Sequence, residues 1–372
     1  MRHDVVIIGA GVQGCSVGLR LAQAGKDVLL LERSVPGAEA SSAAGGILSP
    51  GVEAVEPGPF FDLGRASLAR YEALVPELER TTGIHTGYRR DGTLEVALDD
   101  EHARILAARA ERAAGSGIPV EVLDDVQTRR LEPGISPRTR GALYFPDEAS
   151  IEPPPLARAL EAATRAAGAR FLPGTVQRIV HEGGRVVGVE HESGRIDSDA
   201  VVLAAGAWSL LVPGHGLPEG AVRPVRGQIA ILETRPRLLS RVVFSDKGYV
   251  VPRADGRVLC GSTMEEVGFQ KAVTAGGLRQ VLDLSIEIAP GLAGASVVAT
   301  WSNFRPISPD GWPVLGASSV PGLFYATGHG RNGILLAPIT GDAVSAAVLG
   351  NPPPVDITPF SAARLVPRRF AP

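Results

Sequence analysis

Apolar residues along this chain follow two rhythms, short unbroken runs and runs spaced three or four apart. Val5–Ile8 is an unbroken run that stops at Gly9-Ala10-Gly11, and beyond it Val17, Leu21 and Ala24 share one helical face. Gly25 stands where a left-handed helix cap is expected, and Val28–Leu31 forms a second buried strand ending at Glu32. Strand, helix, strand in this order calls for a parallel sheet. Helical spacing returns at 60–80, in the alanine-rich 101–117 and at 153–167 behind a proline cluster. Alternation over 86–98 around Asp91-Gly92 predicts a hairpin. Strand and hairpin patterns fill 169–189, and Ala200–Leu203 is a fully apolar strand closing in Ala204-Ala205-Gly206. Strands follow at 222–232 and at 241–260, the latter with a turn at Asp255-Gly256. A helix at 277–289 precedes strands at 296–304 and 323–327. The last strand runs into Gly328-His329-Gly330-Arg331-Asn332-Gly333 and a helix ending at Leu349, in which Pro338 fits only near the first turn. Parallel-sheet pieces at the start, middle and end, with antiparallel pieces between them, predict two interleaved domains.

A chain of 372 residues supports one large or two medium cores. With 44% hydrophobic and 21% charged residues, it has the composition of a soluble globular protein. A net charge of −3 favours neither nucleic acid nor an anionic membrane as partner. Lys26, Lys247 and Lys271 are the only lysines, so nearly all positive charge is arginine, whose rigid fork grips carboxylates bidentately. Cys15 and Cys260 are too few for a disulfide framework and fit a reducing, cytoplasmic setting. The apolar start is short and broken by glycines, unlike a signal peptide. No stretch is long enough to cross a bilayer. The seven histidines are scattered, so the expected metal complement is none.

The glycines at the start carry chemistry. Gly9, Gly11 and Gly14 follow the G-x-G-x-x-G spacing between a strand and a helix, with Val12 and Gln13 inside the turn. The first glycine makes the turn, the second lets backbone approach a pyrophosphate, and the third packs helix against strand. Glu32 is placed to accept hydrogen bonds from ribose hydroxyls. Arg33 and Gly206, which follow strand ends, are counted with the same site. The fingerprint alone does not separate FAD from NAD. The small, backbone-exposing loop Ala40-Ser41-Ser42-Ala43-Ala44-Gly45-Gly46-Ile47 suits a flavin that needs a long backbone lining.

Six segments in order carry a resemblance: VVIIGAGVQG at the start, ASSAAGGIL after Glu32, VVLAAGAWS at 201–209, GYVVPRADGRVLCGSTMEEVGF at 248–269, FRPISPDGWPVLG at 304–316 and ATGHGRNGILLAPITG at 326–341. Together they resemble the D-amino-acid oxidase superfamily, and most closely the glycine oxidases associated with thiamine biosynthesis. The resemblance implies an α/β fold in which a Rossmann-like FAD-binding domain interleaves with an α+β substrate domain built on an antiparallel sheet. Residues 1–84, 147–218 and 300–372 would form the first, and 85–146 and 219–299 the second. It also implies non-covalent FAD, since neither cysteine matches a covalent linkage position, and a homo-oligomer. By position, Ala40 and Ser41 would line the adenosine and phosphate side, and Gly45, Gly46 and Ile47 the flavin. Val176 would meet the adenine end through its backbone. His329, Gly330, Arg331, Asn332, Gly333, Ile334 and Leu335 would wrap the isoalloxazine.

Tyr249 and Arg305 correspond to the residues that hold the substrate carboxylate, with Arg331 a third candidate at the flavin or the carboxylate. Lys247 stands where glycine oxidases can carry a histidine, and Met264 is a candidate to pack over the pocket. The implied reaction is hydride transfer from a small amino acid's Cα to flavin N5. Imine hydrolysis then gives a 2-oxo acid and ammonia, and oxygen gives hydrogen peroxide. Two other readings stay open: a dehydrogenase subunit passing electrons to another acceptor, and an FAD-binding protein without amine oxidation.

Overall fold

The computed structural model describes residues 2–53, 57–114 and 118–366. Its centre is the strand Arg2–Ile8, hydrogen-bonded in parallel to Gly194–Leu203 on one side and Val28–Glu32 on the other. That position explains the unbroken apolar run, because a central parallel strand is covered on both faces. Val5 and Ile7 pack into a helical layer made by Val12–Gln23, Pro59–Thr82, Pro153–Ala166 and Gly333–Val348. Val6 and Ile8 pack against an antiparallel layer that includes Ile179, Val186 and Val189. The sheet continues outward to Arg170–Pro173 at one edge and to Leu323–Thr327 and Val314–Ala317 at the other.

A second sheet of eight strands runs in the order 296–307, 223–233, 257–261, 249–252, 242–244, 93–97, 141–145, 121–123. It is antiparallel throughout except between Val242–Phe244 and Thr93–Ala97. One face packs on the helix Ala275–Ile288 through Ala230, Val250 and Cys260. The other face, with Ile229, Phe244, Val251 and Leu259, packs on Ile47 and carries Tyr249. The two sheets therefore meet across the loop that follows Glu32.

Three expectations change, and a fourth, a helix, is met as far as the described residues reach. Asp91-Gly92 does not close a hairpin: Thr93–Ala97 pairs with Gly141–Phe145 and Val242–Phe244, while Arg89 bridges Ser150 instead. Alternation sets which face is buried and says nothing about which strand lies alongside. The helix expected at 101–117 spans Asp100–Ala114, and 115–117 lie outside the described residues. The expected break at 299/300 falls inside Ser296–Ile307, a single strand paired along its length with Arg223–Glu233. Pro338 lies well inside Gly333–Val348 rather than in its first turn. The carbonyl it leaves without a helical partner, that of Ile334, accepts from the Tyr71 hydroxyl, and Ser67 Oγ donates to the Leu335 carbonyl at 2.6 Å. A neighbouring helix thus supplies the hydrogen bonds that the proline removes.

Candidate functional site

A cavity of about 400 Å³ lies where the two sheets meet, at the end of the strand Arg2–Ile8. Gly9 makes the turn with φ +100°, and a Cβ there would come within 2.6 Å of the Ala204 carbonyl oxygen. Gly14 does not line the cavity; a Cβ on it would collide with Gly9, so its role is the close packing of helix on turn. Gly11, Val12 and Gln13 present the helix N-terminus to the cavity, and Val12 N–H donates to Ser41 Oγ at 3.0 Å. Glu32 braces the turn as well: its carboxylate accepts from Ala10 N–H at 2.9 Å and Ser34 N–H at 3.0 Å.

A second helix N-terminus meets the first. Gln13 Nε2 donates to the Gly333 carbonyl at 2.7 Å, and Asn332, at the helix N-cap, makes no side-chain cap bond. Two helix starts whose N-cap residues make no side-chain cap bond therefore face one cavity with their dipoles. Only Val12 N–H, held by Ser41, is already taken, the arrangement an anionic dinucleotide needs. Among the described residues Gln13 Oε1 and His329 Nδ1 are buried without a partner, and both residues line the cavity, so acceptor or donor capacity is left for a ligand. His329 Nε2 lies 2.9 Å from Thr340 Oγ1, and burial pushes its pKa down to about 3, leaving a neutral ring. These features fit the cofactor that the sequence implies.

Ala40, Gly45, Gly46, Ile47, Val176, Gly206, Gly330 and Ile334 also line the cavity; Leu335 does not, because its side chain is in the core. Arg33 lines it while stacked 3.9 Å over the Trp208 ring. Trp208 went unnoticed in the sequence, although it stands in the quoted 201–209 segment, in the short helical turn Gly206–Leu211 that follows the strand.

Tyr249, Arg305 and Arg331 line the same cavity despite their separation along the chain: the Tyr249 ring lies against Gly261, Arg305 bonds the next residue, Ser262, and Tyr249 acts on the Arg331 charge. Arg305 is half-buried. Its guanidinium lies over Gly227, where any Cβ would collide with it, and donates to the Thr263 carbonyl at 3.1 Å and Ser262 Oγ at 2.6 Å. Among the described residues no carboxylate pairs with it. Arg331 differs: it donates to Glu53 Oε2 at 2.7 Å, and that carboxylate also raises its pKa. Glu53 was missed by the sequence reading because only the fold brings it to Arg331. Its segment is held from behind by Glu148, which accepts from Gly51 N–H at 2.6 Å, and by Arg109, which donates to the Gly51 and Val52 carbonyls. Lys247 pairs with Glu287 at 3.5 Å outside the cavity, and Met264 is exposed, so neither joins the site.

The family described as FAD dependent oxidoreductase matches residues 4–347. The glycine oxidase of Geobacillus kaustophilus is 34% identical over 98% of this chain and 97% of its own. A crystal structure of glycine oxidase from Geobacillus kaustophilus superposes with a TM-score of 0.94 at 34% identity, covering 98% of this chain and 99% of that one. The bifunctional protein ThiO/ThiG of Synechocystis is 36% identical over 93% of this chain and 51% of its own length. The crystal structure of iminodiacetate oxidase from Chelativorans covers 96% of this chain and 98% of its own, at 29% identity and a TM-score of 0.87. A match along nearly the whole chain, joined to a cavity built for a dinucleotide, makes this protein a member of the FAD dependent oxidoreductase family, with FAD as its cofactor.

Proposed function

We propose that this enzyme oxidises glycine and other small amino acids or amines, such as sarcosine and small D-amino acids, using oxygen as acceptor. The products are a 2-oxo acid, ammonia or an amine, and hydrogen peroxide. Arg305 carries the reading: a half-buried guanidinium in the cofactor cavity, fixed by two neutral acceptors and paired with no carboxylate. Of its five N–H donors, two are used internally, which leaves a charged fork for a ligand carboxylate. The Tyr249 phenol lines the same cavity and adds a neutral donor. Bound FAD supplies the hydride acceptor. Arg305 and Tyr249 orient the substrate so that its Cα faces the Gly45-Gly46 side, which is a positioning role. We assign Arg331, whose charge Glu53 already meets, to the rim of this cavity rather than to a second carboxylate clamp.

The same proposal covers the cofactor contacts named above and a non-covalent flavin. Both cysteines are buried away from the cavity, and burial raises both thiols, Cys260 to about 11. It also divides the chain into an FAD-binding part and a substrate-binding part, with 296–307 given to the latter. A cytoplasmic, self-associating enzyme belongs to this reading; no described helix is long and apolar enough to cross a membrane. The similarity to ThiO/ThiG supports a place in thiamine biosynthesis.

The test is kcat/KM for glycine, sarcosine, D-alanine, D-phenylalanine and D-aspartate under air, with peroxide measured. Side-chain volume is the expected discriminator, one methylene being worth about 1–3 kcal/mol. Glycine, sarcosine and D-alanine should all react. A lead of about tenfold or more for D-phenylalanine or D-aspartate refutes the substrate assignment. Turnover without peroxide refutes oxygen as acceptor.

A further inference from the structure

Arg253 follows the strand Tyr249–Pro252, and residues 249 and 253 share a face because side chains alternate along a strand. Both reach one turn. The Tyr249 ring packs on Gly45, and Arg253 Nη2 donates to the Gly45 carbonyl at 2.8 Å, with Nη1 on the Ile151 carbonyl at 3.1 Å. Arg253 is only 6% exposed, and among the described residues no carboxylate lies within ion-pair distance of it. Glu152, Asp255, Arg257 and Arg89 are the charged groups that act on it. Arg257 already faces both acids, at 3.8 Å from Glu152 and 2.6 Å from Asp255, and Arg89 pairs with Asp91. These groups balance, three arginines against Glu152, Asp255 and Asp91, but Arg253 is the most deeply buried of them and alone among the three arginines has no carboxylate in contact. Burial lowers its pKa to about 10, so it stays protonated at neutral pH.

A buried cation with no carboxylate in contact is costly to fold, and holding two carbonyls does not require a charge. We propose that Arg253 is a positioning residue for the redox step: it fixes the Gly45 turn, and its buried charge raises the reduction potential of bound FAD. The inference rests on the reading of Gly45-Gly46 as the flavin-lining turn. Accepting a hydride adds two electrons and one proton to the cofactor, hence one negative charge. A fixed positive charge in a poorly hydrated interior stabilises that reduced state over the oxidised one.

The test compares the midpoint potential of the bound flavin in the wild type, Arg253→Lys, Arg253→Gln and Glu152→Gln. Arg253→Gln keeps donor capacity without charge. It should lower the equilibrium constant for reduction by about tenfold, a fall of about 30 mV for a two-electron couple. Arg253→Lys keeps the charge and should stay near the wild type. Glu152→Gln, a change at a half-buried residue, removes an opposing charge and should raise the potential. Equal shifts in the lysine and glutamine variants, or no shift in either, overturn the proposal. If Arg253→Gln does not fold, an unmoved or lowered potential in Glu152→Gln overturns it. A wild type that holds no FAD would instead refute the cofactor reading itself.

Discussion

Arg305 is held by a carbonyl and a hydroxyl and meets no acid, so removing it removes a free charge rather than a structural ion pair. Arg305→Ala should cost about 1.5–3 kcal/mol of transition-state binding, roughly 10- to 100-fold in kcat/KM, while FAD stays bound. Unchanged kinetics would show that the carboxylate binds elsewhere. Tyr249→Phe should act in the same direction at about 0.5–1.5 kcal/mol. His329 gives a pH signature. Its folded pKa of about 3 lies below the ordinary value of 6.5, so between those values the unfolded chain binds a proton that the folded chain refuses. Stability from this residue is therefore complete above the ordinary value and lost as pH falls toward the folded one. His329→Gln should lose less stability than the wild type between about pH 7 and about pH 4 in urea titrations; equal losses would contradict the assignment. Tyr249, Arg305 and His329 were legible because each stands in a segment with a recognisable order of neighbours. Glu53 was not, since its partner lies far along the chain and no local pattern marks it.

At the scale of elements, the strand Arg2–Ile8 and helix Val12–Gln23 could be read directly, because burial on both faces and glycine spacing leave a strong local imprint. Pairing partners left none. The segment after Asp91-Gly92 alternates as a hairpin would, yet pairs with strands from two other parts of the chain. The helix Gly333–Val348 shows how tertiary packing overrides local chemistry: Pro338 is tolerated mid-helix because Tyr71 and Ser67 complete the bonding. Tyr71→Phe should leave the buried Ile334 carbonyl unpaired at a cost of about 1–3 kcal/mol. Ile334 lines the cavity, so the variant should melt earlier and release FAD more readily. A melting temperature and FAD affinity equal to the wild type would show that the helix does not depend on that bond.

Over the whole molecule, function arises from the meeting of two sheets that the chain visits alternately. The first supplies two helix N-termini for an anionic cofactor, and the second hangs Tyr249 and Arg305 over the same cavity. The interleaving was legible from alternating runs of parallel and antiparallel patterns. The exact crossing was not, because Ser296–Ile307 looks the same on either side of residue 300 and only its pairing assigns it to one sheet. The account requires that a small amino acid, clamped by its carboxylate, reduce the flavin held in that cavity. Anaerobic mixing of the purified protein with glycine, followed by flavin absorbance, tests this most directly. Glycine should bleach the flavin, and admitted air should restore the colour with formation of hydrogen peroxide. A flavin that keeps its colour with glycine, sarcosine and D-alanine alike would contradict the account.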